Sequence, residues 1–281
     1  MSHPRVVVVT LLAMLAFAGN SILCRLALKL GTIDPASFTT VRIVSGAATL
    51  WLIARATRRT RKGKGNWISA LALFIYAAGF SFAYTQLSAA TGALLLFGAV
   101  QASMIGYGIW AGERLRPVQT AGLALAIAGL AALLLPGLSA PPLSASCLML
   151  GAGIAWAIYS LRGRGAGDPT RVTAGNFLRA VPIAVALSVL MNDSISLDGS
   201  GYWYAVLSGA VTSGIGYSIW YTALPALKAT TAATVQLSVP VFATVGGILF
   251  LGESLTIRVA GASVAILGGI ALVILQKIRA K

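Results

Sequence analysis

Ten apolar stretches, each of about 20 residues and separated by short connections, follow one another through the 281 residues. A helix of that length, rising about 1.5 Å per residue, crosses a hydrocarbon layer of roughly 30 Å. The expected spans are 6–27, 36–55, 67–88, 90–111, 117–135, 144–163, 172–191, 201–224, 229–251 and 256–276. Apolar residues make up 58% of the chain and charged residues 10%, and the mean hydropathy is +0.87. One water-soluble core of this size needs far less apolar surface. Connections such as PGLSAPPLS leave no room for a soluble domain. The first span also carries Ala16-Phe17-Ala18 before Gly19, a signal-peptide-like pattern. The spacing of Phe17 and Ser21, repeated by Trp156 and Ser160 in the sixth span, weighs against cleavage.

The chain repeats itself. GFSFAYTQL at 79–87 returns as GYSIWYTAL at 216–224 with five of nine positions identical, Arg42 returns as Arg179, and Gly112-Glu113 returns as Gly252-Glu253. The expected domains are therefore two five-helix repeats, 1–140 and 141–281. Because five is odd, the second copy enters the membrane upside down. The expected architecture is ten transmembrane helices in two inverted-topology repeats, the arrangement that gives alternating access around a midplane site.

Basic residues orient this bundle. With the N terminus in the cytoplasm, 16 of the 21 Lys and Arg residues fall on the inner side, three fall outside (Arg25, Lys29, Arg258), and Arg42 and Arg179 lie within spans. Both termini are expected to be cytoplasmic, in the cell inner membrane. The net charge of +15 thus follows topology; no basic surface with aromatic or helical readers points to nucleic acid. Cys24 and Cys147 lie in or beside apolar spans and read as small apolar residues rather than a disulfide.

Candidate substrate contacts follow from helical spacing. Tyr76, Phe80 and Tyr84 lie at i, i+4 and i+8 on the third span, and Ser213, Tyr217 and Tyr221 repeat that pattern on the eighth. Trp156, Tyr159 and Ser160 on the sixth span join them, as do Phe17, Asn20 and Ser21 on the first, with Gln236 on the ninth. Asn20, Gln101 and Gln236 must face protein or a wet cavity, since an amide pointing into lipid is costly. Trp156 and Gln236 sit nearest the membrane centre. Pro240, in the middle of the ninth span, is expected to free the Gln236 carbonyl and to form a hinge; Gly79 and Gly216 are expected at moving seams. Arg42 and Arg179, each about six residues inside a span, are expected to snorkel outward and serve the fold. Glu113 and Glu253 are expected to shape turns and pair with Arg114, Arg116 or Arg258.

These features together resemble the EamA-type members of the drug/metabolite transporter superfamily. The resemblance rests on Arg42 and Arg179 early in the second helix of each copy, on Tyr84 to Leu87 and Tyr221 to Leu224 closing the third, on Pro240 to Phe242, and on Leu251 to Glu253. It covers nearly the whole chain, with Val100 departing from the proline seen at 240. Within the superfamily the chain is most similar to YddG-type exporters of aromatic and other neutral amino acids. That likeness implies that Trp156 and Gln236 fall on cavity positions. A pocket of Trp, Tyr and Phe without a fixed charge suits neutral or zwitterionic solutes; the alternative is a multidrug or other small-metabolite exporter of the same superfamily, cationic compounds included, since aromatic faces bind cations.

Other chemistry lacks its residues. The single histidine is His3, so a Ser-His hydrolase within the membrane has no base, and no cluster of His, Cys or acids suggests a metal. No enzymatic activity, cofactor or obligate protein partner is expected. All six acidic residues lie in loops or at span ends, which argues for facilitated export or exchange rather than proton coupling.

Overall fold

The computed structural model describes residues 3–57, 63–112, 114–137, 140–163, 167–191, 199–223, 227 and 235–279. In chain order the helices are α1 (His3–Lys29), α2 (Pro35–Ala56), α3 (Trp67–Tyr84), α4 (Ala89–Trp110), α5 (Pro117–Leu134), α6 (Leu143–Gly163), α7 (Pro169–Leu190), α8 (Gly199–Leu207), α9 (Gly216–Ala223), α10 (Ser238–Leu251) and α11 (Ile257–Arg279). A π-helical segment, Ser208–Ile215, joins α8 to α9 without a break. The architecture is all-helical. Eight of the helices are long and apolar enough to cross a membrane by themselves. The expected eighth span is built from α8, the π-helical segment and α9, and the described part of the ninth ends in the 14-residue α10.

Helix starts are fixed by short polar residues. Asp34 precedes Pro35, and its Oδ1 accepts from the backbone N–H groups of Ala36 (3.0 Å) and Ser37 (2.9 Å). Asp168 precedes Pro169 and accepts from the Arg171 N–H at 3.0 Å. The same Asp-Pro device thus opens α2 and α7: the carboxylate takes otherwise unpaired N–H groups, and proline occupies a position that needs no donor. Asn66 and Ser88 cap α3 and α4 in the same manner.

The packing pairs off across the two halves. Helix α3 lies against α6 and α7, while α8, the π-helical segment and α9 lie against α1 and α2; α4 packs on α6, and α10 on α1. The remaining large pairings join α2 to α7, α4 to α10 and α5 to α11. In lipid, apolar side chains alone give little drive for association, so close backbone contact matters. A methyl group added at Gly153 of α6 would stand 2.6 Å from both the Leu96 carbonyl oxygen and the Ala99 Cβ of α4, too close for any other residue.

Pro240 is the third residue of α10, inside its first turn, where a missing N–H breaks no established ladder. The interruption in the described backbone comes earlier, as a turn at Leu237. The expectation of a mid-helix proline kink is therefore corrected: helix α10 begins afresh just ahead of the proline. Residues 229–234 of the expected ninth span lie outside the described residues, as does Glu113.

Candidate functional site

A cavity opens where α1, α3, α4, α6, the π-helical segment and α9 converge, close to the middle of most of these elements. Phe17, Asn20 and Ser21 of α1 line it, facing Tyr76 and Phe80 of α3, Leu96 and Phe97 of α4, Trp156 of α6, Thr212 of the π-helical segment and Tyr217 of α9. The space among them is small in this structure: the centres of water-sized spheres have about 20 Å³ to occupy. Trp156 is the hub of the aromatic wall. Its ring centroid lies 4.7 Å from that of Tyr76, 5.2 Å from Tyr217 and 5.5 Å from Tyr159. Phe17 meets Tyr217 edge-on at 5.8 Å, and Phe80 lies 5.6 Å from Tyr76. Aromatic walls of this kind bind flat or apolar groups through ring faces and edges.

The polar side of the cavity is a single connected network. Asn20 Oδ1 accepts from the Ser208 hydroxyl at 2.6 Å, with the Thr212 hydroxyl, which donates to the Ser208 carbonyl at 2.6 Å, a longer 3.3 Å away; this leaves Nδ2 to donate to the Tyr76 hydroxyl oxygen at 3.3 Å. That oxygen also accepts from Nη2 of Arg42 at 2.8 Å. Nε of Arg42 donates to Ser213 Oγ at 3.4 Å, and the guanidinium carbon lies 5.1 Å and 5.0 Å from the ring centroids of Tyr76 and Phe80.

Arg42 overturns the expectation of a snorkelling residue. Only 2% of it is exposed, and it reaches inward from α2 to the cavity wall. Depth along a helix led to the wrong reading because direction decides: α2 is covered by α7 and the π-helical segment, so the side chain has no route to the surface. A fixed positive charge therefore stands beside a pocket for which none was expected. Arg179 behaves differently. It is half-buried, and its Nη1 donates to the carbonyls of Lys64 and Gly175, tying the segment before α3 to α7.

The remaining expected positions divide. Tyr84 is buried behind Phe80, with ring centroids 4.7 Å apart, and its hydroxyl donates to the Ala89 carbonyl at 3.5 Å. Tyr159 is buried behind Trp156; Ser160 and Gln236 are half-buried, Gln101 is buried, and none of the four lines the cavity. The Tyr221 side chain lies outside the described residues. Gly79 faces the Leu148 carbonyl and Ala152 of α6, and Gly216 faces Ala16 of α1. Glu253 pairs with Arg25 of α1 rather than with its sequence neighbour Arg258. Thr212, Leu96 and Phe97 were not anticipated. Thr212 and Tyr217 are five positions apart and share the cavity, a spacing that the wider π turn brings onto one face and an α-helix does not.

Two consecutive regions, residues 4–135 and 143–275, match the EamA-like transporter family. The chain belongs to that family. Membership makes this EamA-like chain a multi-pass membrane transporter rather than an enzyme. An uncharacterized protein of Pseudomonas aeruginosa is 53% identical over 279 residues, covering 99% of this chain and 97% of the relative. Proteins named threonine/homoserine exporter RhtA are similar over about half of each chain: 36% identity over 149 residues in Salmonella typhimurium and 34% over 146 residues in Escherichia coli. One solved crystal structure superposes over the full length of both chains with a TM-score of 0.71 at 20% identity, which shows a shared fold.

Proposed function

We propose that this EamA-like chain exports amino acids, aromatic and other neutral ones as in YddG-type relatives, by alternating access around the Trp156 cavity. The observation that carries the reading is the cavity itself, set at mid-bundle with an aromatic wall on one side and the Asn20–Tyr76 network on the other. The two halves 1–140 and 141–281 act as inverted repeats. Support comes from packing that pairs α3 with α6 and α7 while α8 pairs with α1 and α2, an exchange that a two-fold relation produces. Trp156, Phe17, Phe80, Tyr217 and Asn20 are the proposed substrate contacts; Tyr84 and Tyr159 back them, and the Gly79 and Gly216 seams move. The inner membrane is the proposed location, with both termini cytoplasmic, as the distribution of basic residues supports.

Export is proposed to run as facilitated transport or exchange. Among the described residues, Asp34 and Asp168 cap helix ends and Glu253 pairs with Arg25, so no carboxylate sits at the cavity to carry a proton. The test is counterflow in proteoliposomes loaded with unlabelled amino acids. Accumulation of labelled amino acid, unchanged by an imposed pH gradient, is expected; strict dependence on that gradient removes the coupling mode, and uptake of cationic drugs alone replaces the cargo.

A further inference from the structure

Among the described residues Arg42 has no counter-ion. Its hydrogen-bond partners are two neutral hydroxyls, those of Tyr76 and Ser213, and among the described residues its Nη1 has no partner at all. The ion pair of Arg25 with Glu253 is complete within itself. A guanidinium buried to this extent without an anion is a costly arrangement, and the cost falls sharply once a negative group arrives nearby.

Tyr76 passes that charge to the cavity. A phenolic oxygen has two acceptor positions and one proton to donate. Asn20 Nδ2 and Arg42 Nη2 both donate to this oxygen, and the Ser208 hydroxyl, donating to Asn20 Oδ1, holds the amide in the orientation that makes it the donor. The Tyr76 proton is then left to point away from both, and among the described residues no hydrogen bond donated by it is seen. Tyr76 lines the cavity. A hydroxyl polarised from behind by a cation is a stronger donor than an isolated one.

We propose that the cavity selects solutes carrying a free carboxylate, which accepts a hydrogen bond from the Tyr76 hydroxyl and neutralises Arg42 through it. The proposal rests on the transport reading and narrows its substrate class. Arg42 is a positioning residue here, acting through Tyr76, while the aromatic wall of Trp156, Phe17 and Tyr217 takes the rest of the solute. Cationic solutes lacking a carboxylate meet a like charge and are excluded.

The test uses the purified full-length protein and phenylalanine, 3-phenylpropionate, phenylalaninamide and phenethylamine as probes. Binding is read by calorimetry in detergent, and competition by counterflow of labelled phenylalanine. Phenylalanine and phenylpropionate are expected to bind at least tenfold more tightly than phenylalaninamide and phenethylamine. Arg42→Gln and Tyr76→Phe are each expected to bring that ratio close to one, and Arg42→Lys to retain most of it. Because the readout is a ratio within one variant, a loss of folded protein in Arg42→Gln does not imitate the result, and Tyr76→Phe provides the second, milder variant. Equal binding of carboxylate and carboxamide by the unaltered protein overturns the proposal while leaving amino-acid transport standing. Failure of both carboxylates to bind overturns it also. Carboxylate binding without any counterflow keeps the proposal and removes the export reading.

Discussion

Arg25 and Glu253, 228 positions apart in the chain, form an ion pair with Nε and Oε1 at 3.1 Å, and each side chain makes further bonds to backbone. Nη1 of Arg25 donates to the carbonyls of Tyr84 (2.9 Å) and Thr85 (3.1 Å), and Oε2 of Glu253 accepts from the Ala89 N–H at 2.8 Å. Lys29 adds a bond to the Leu251 carbonyl at 2.9 Å. The end of α1, the turn between α3 and α4, and the end of α10 are thereby fastened together on one face of the bundle. Both side chains of the pair are largely shielded, 14% and 10% exposed, so solvent screens them less than a surface pair.

Glu253→Gln and Arg25→Gln are each expected to loosen this fastening. A double-mutant cycle, read as thermal or chemical stability in detergent, should give a coupling of about 1.5–3 kcal/mol, the range of hydrogen bonds to charged groups. A coupling near zero means that the pair does not hold the four helix ends.

Trp156→Ala removes the ring that touches Tyr76, Tyr159 and Tyr217. Counterflow of aromatic amino acids should fall by about tenfold, since each aromatic contact contributes about 0.5–1.5 kcal/mol beyond burial. Small neutral amino acids should lose much less. Equal losses for both classes place Trp156 outside the substrate contact.

Gly79→Leu and Gly216→Leu press a side chain into closed seams. A Cβ at Gly79 stands 3.1 Å from the Leu148 carbonyl oxygen, and one at Gly216 stands 2.9 Å from the Ala16 Cβ. Each variant is expected to insert into membranes, to lose about 1–3 kcal/mol of stability from overpacking, and to stop counterflow. Normal transport by both speaks against motion at these seams.

Asp34→Ala and Asp168→Ala test the paired helix starts. Loss of an N-cap costs about 0.5–2 kcal/mol, and each variant is expected to lose thermal stability within that range, read by melting in detergent; an unchanged melting temperature in both means that the caps do not hold these helix starts.

Much of this was legible from hydropathy and spacing alone. The spans matched helices because lipid leaves a backbone few other choices; the i, i+4 stripes led to Phe80 and Tyr217 at the cavity, and the cost of an amide in lipid led to Asn20. The stripes misled where they ran past it: Tyr84 continues the face of Tyr76 and Phe80, but two turns further along it is covered by the next helix. Leu96 and Phe97 carried no signal, being apolar residues in an apolar helix. Arg42 was misread because the path of a long side chain depends on which helices cover its own, and sequence distance from the interface does not contain that information. Glu253 was misread for a similar reason, its partner lying at the far end of the chain.

The eight-residue π-helical stretch between α8 and α9 sets the phase between two ends of one rod. A change from its wide turns to regular α winding alters the rotation accumulated along the stretch, and so the setting of Tyr217 relative to the buried Gly201 and Ala205. The angular alignment of the aromatic wall is thus written as a count of residues in this stretch, and insertions or deletions there act as rotations.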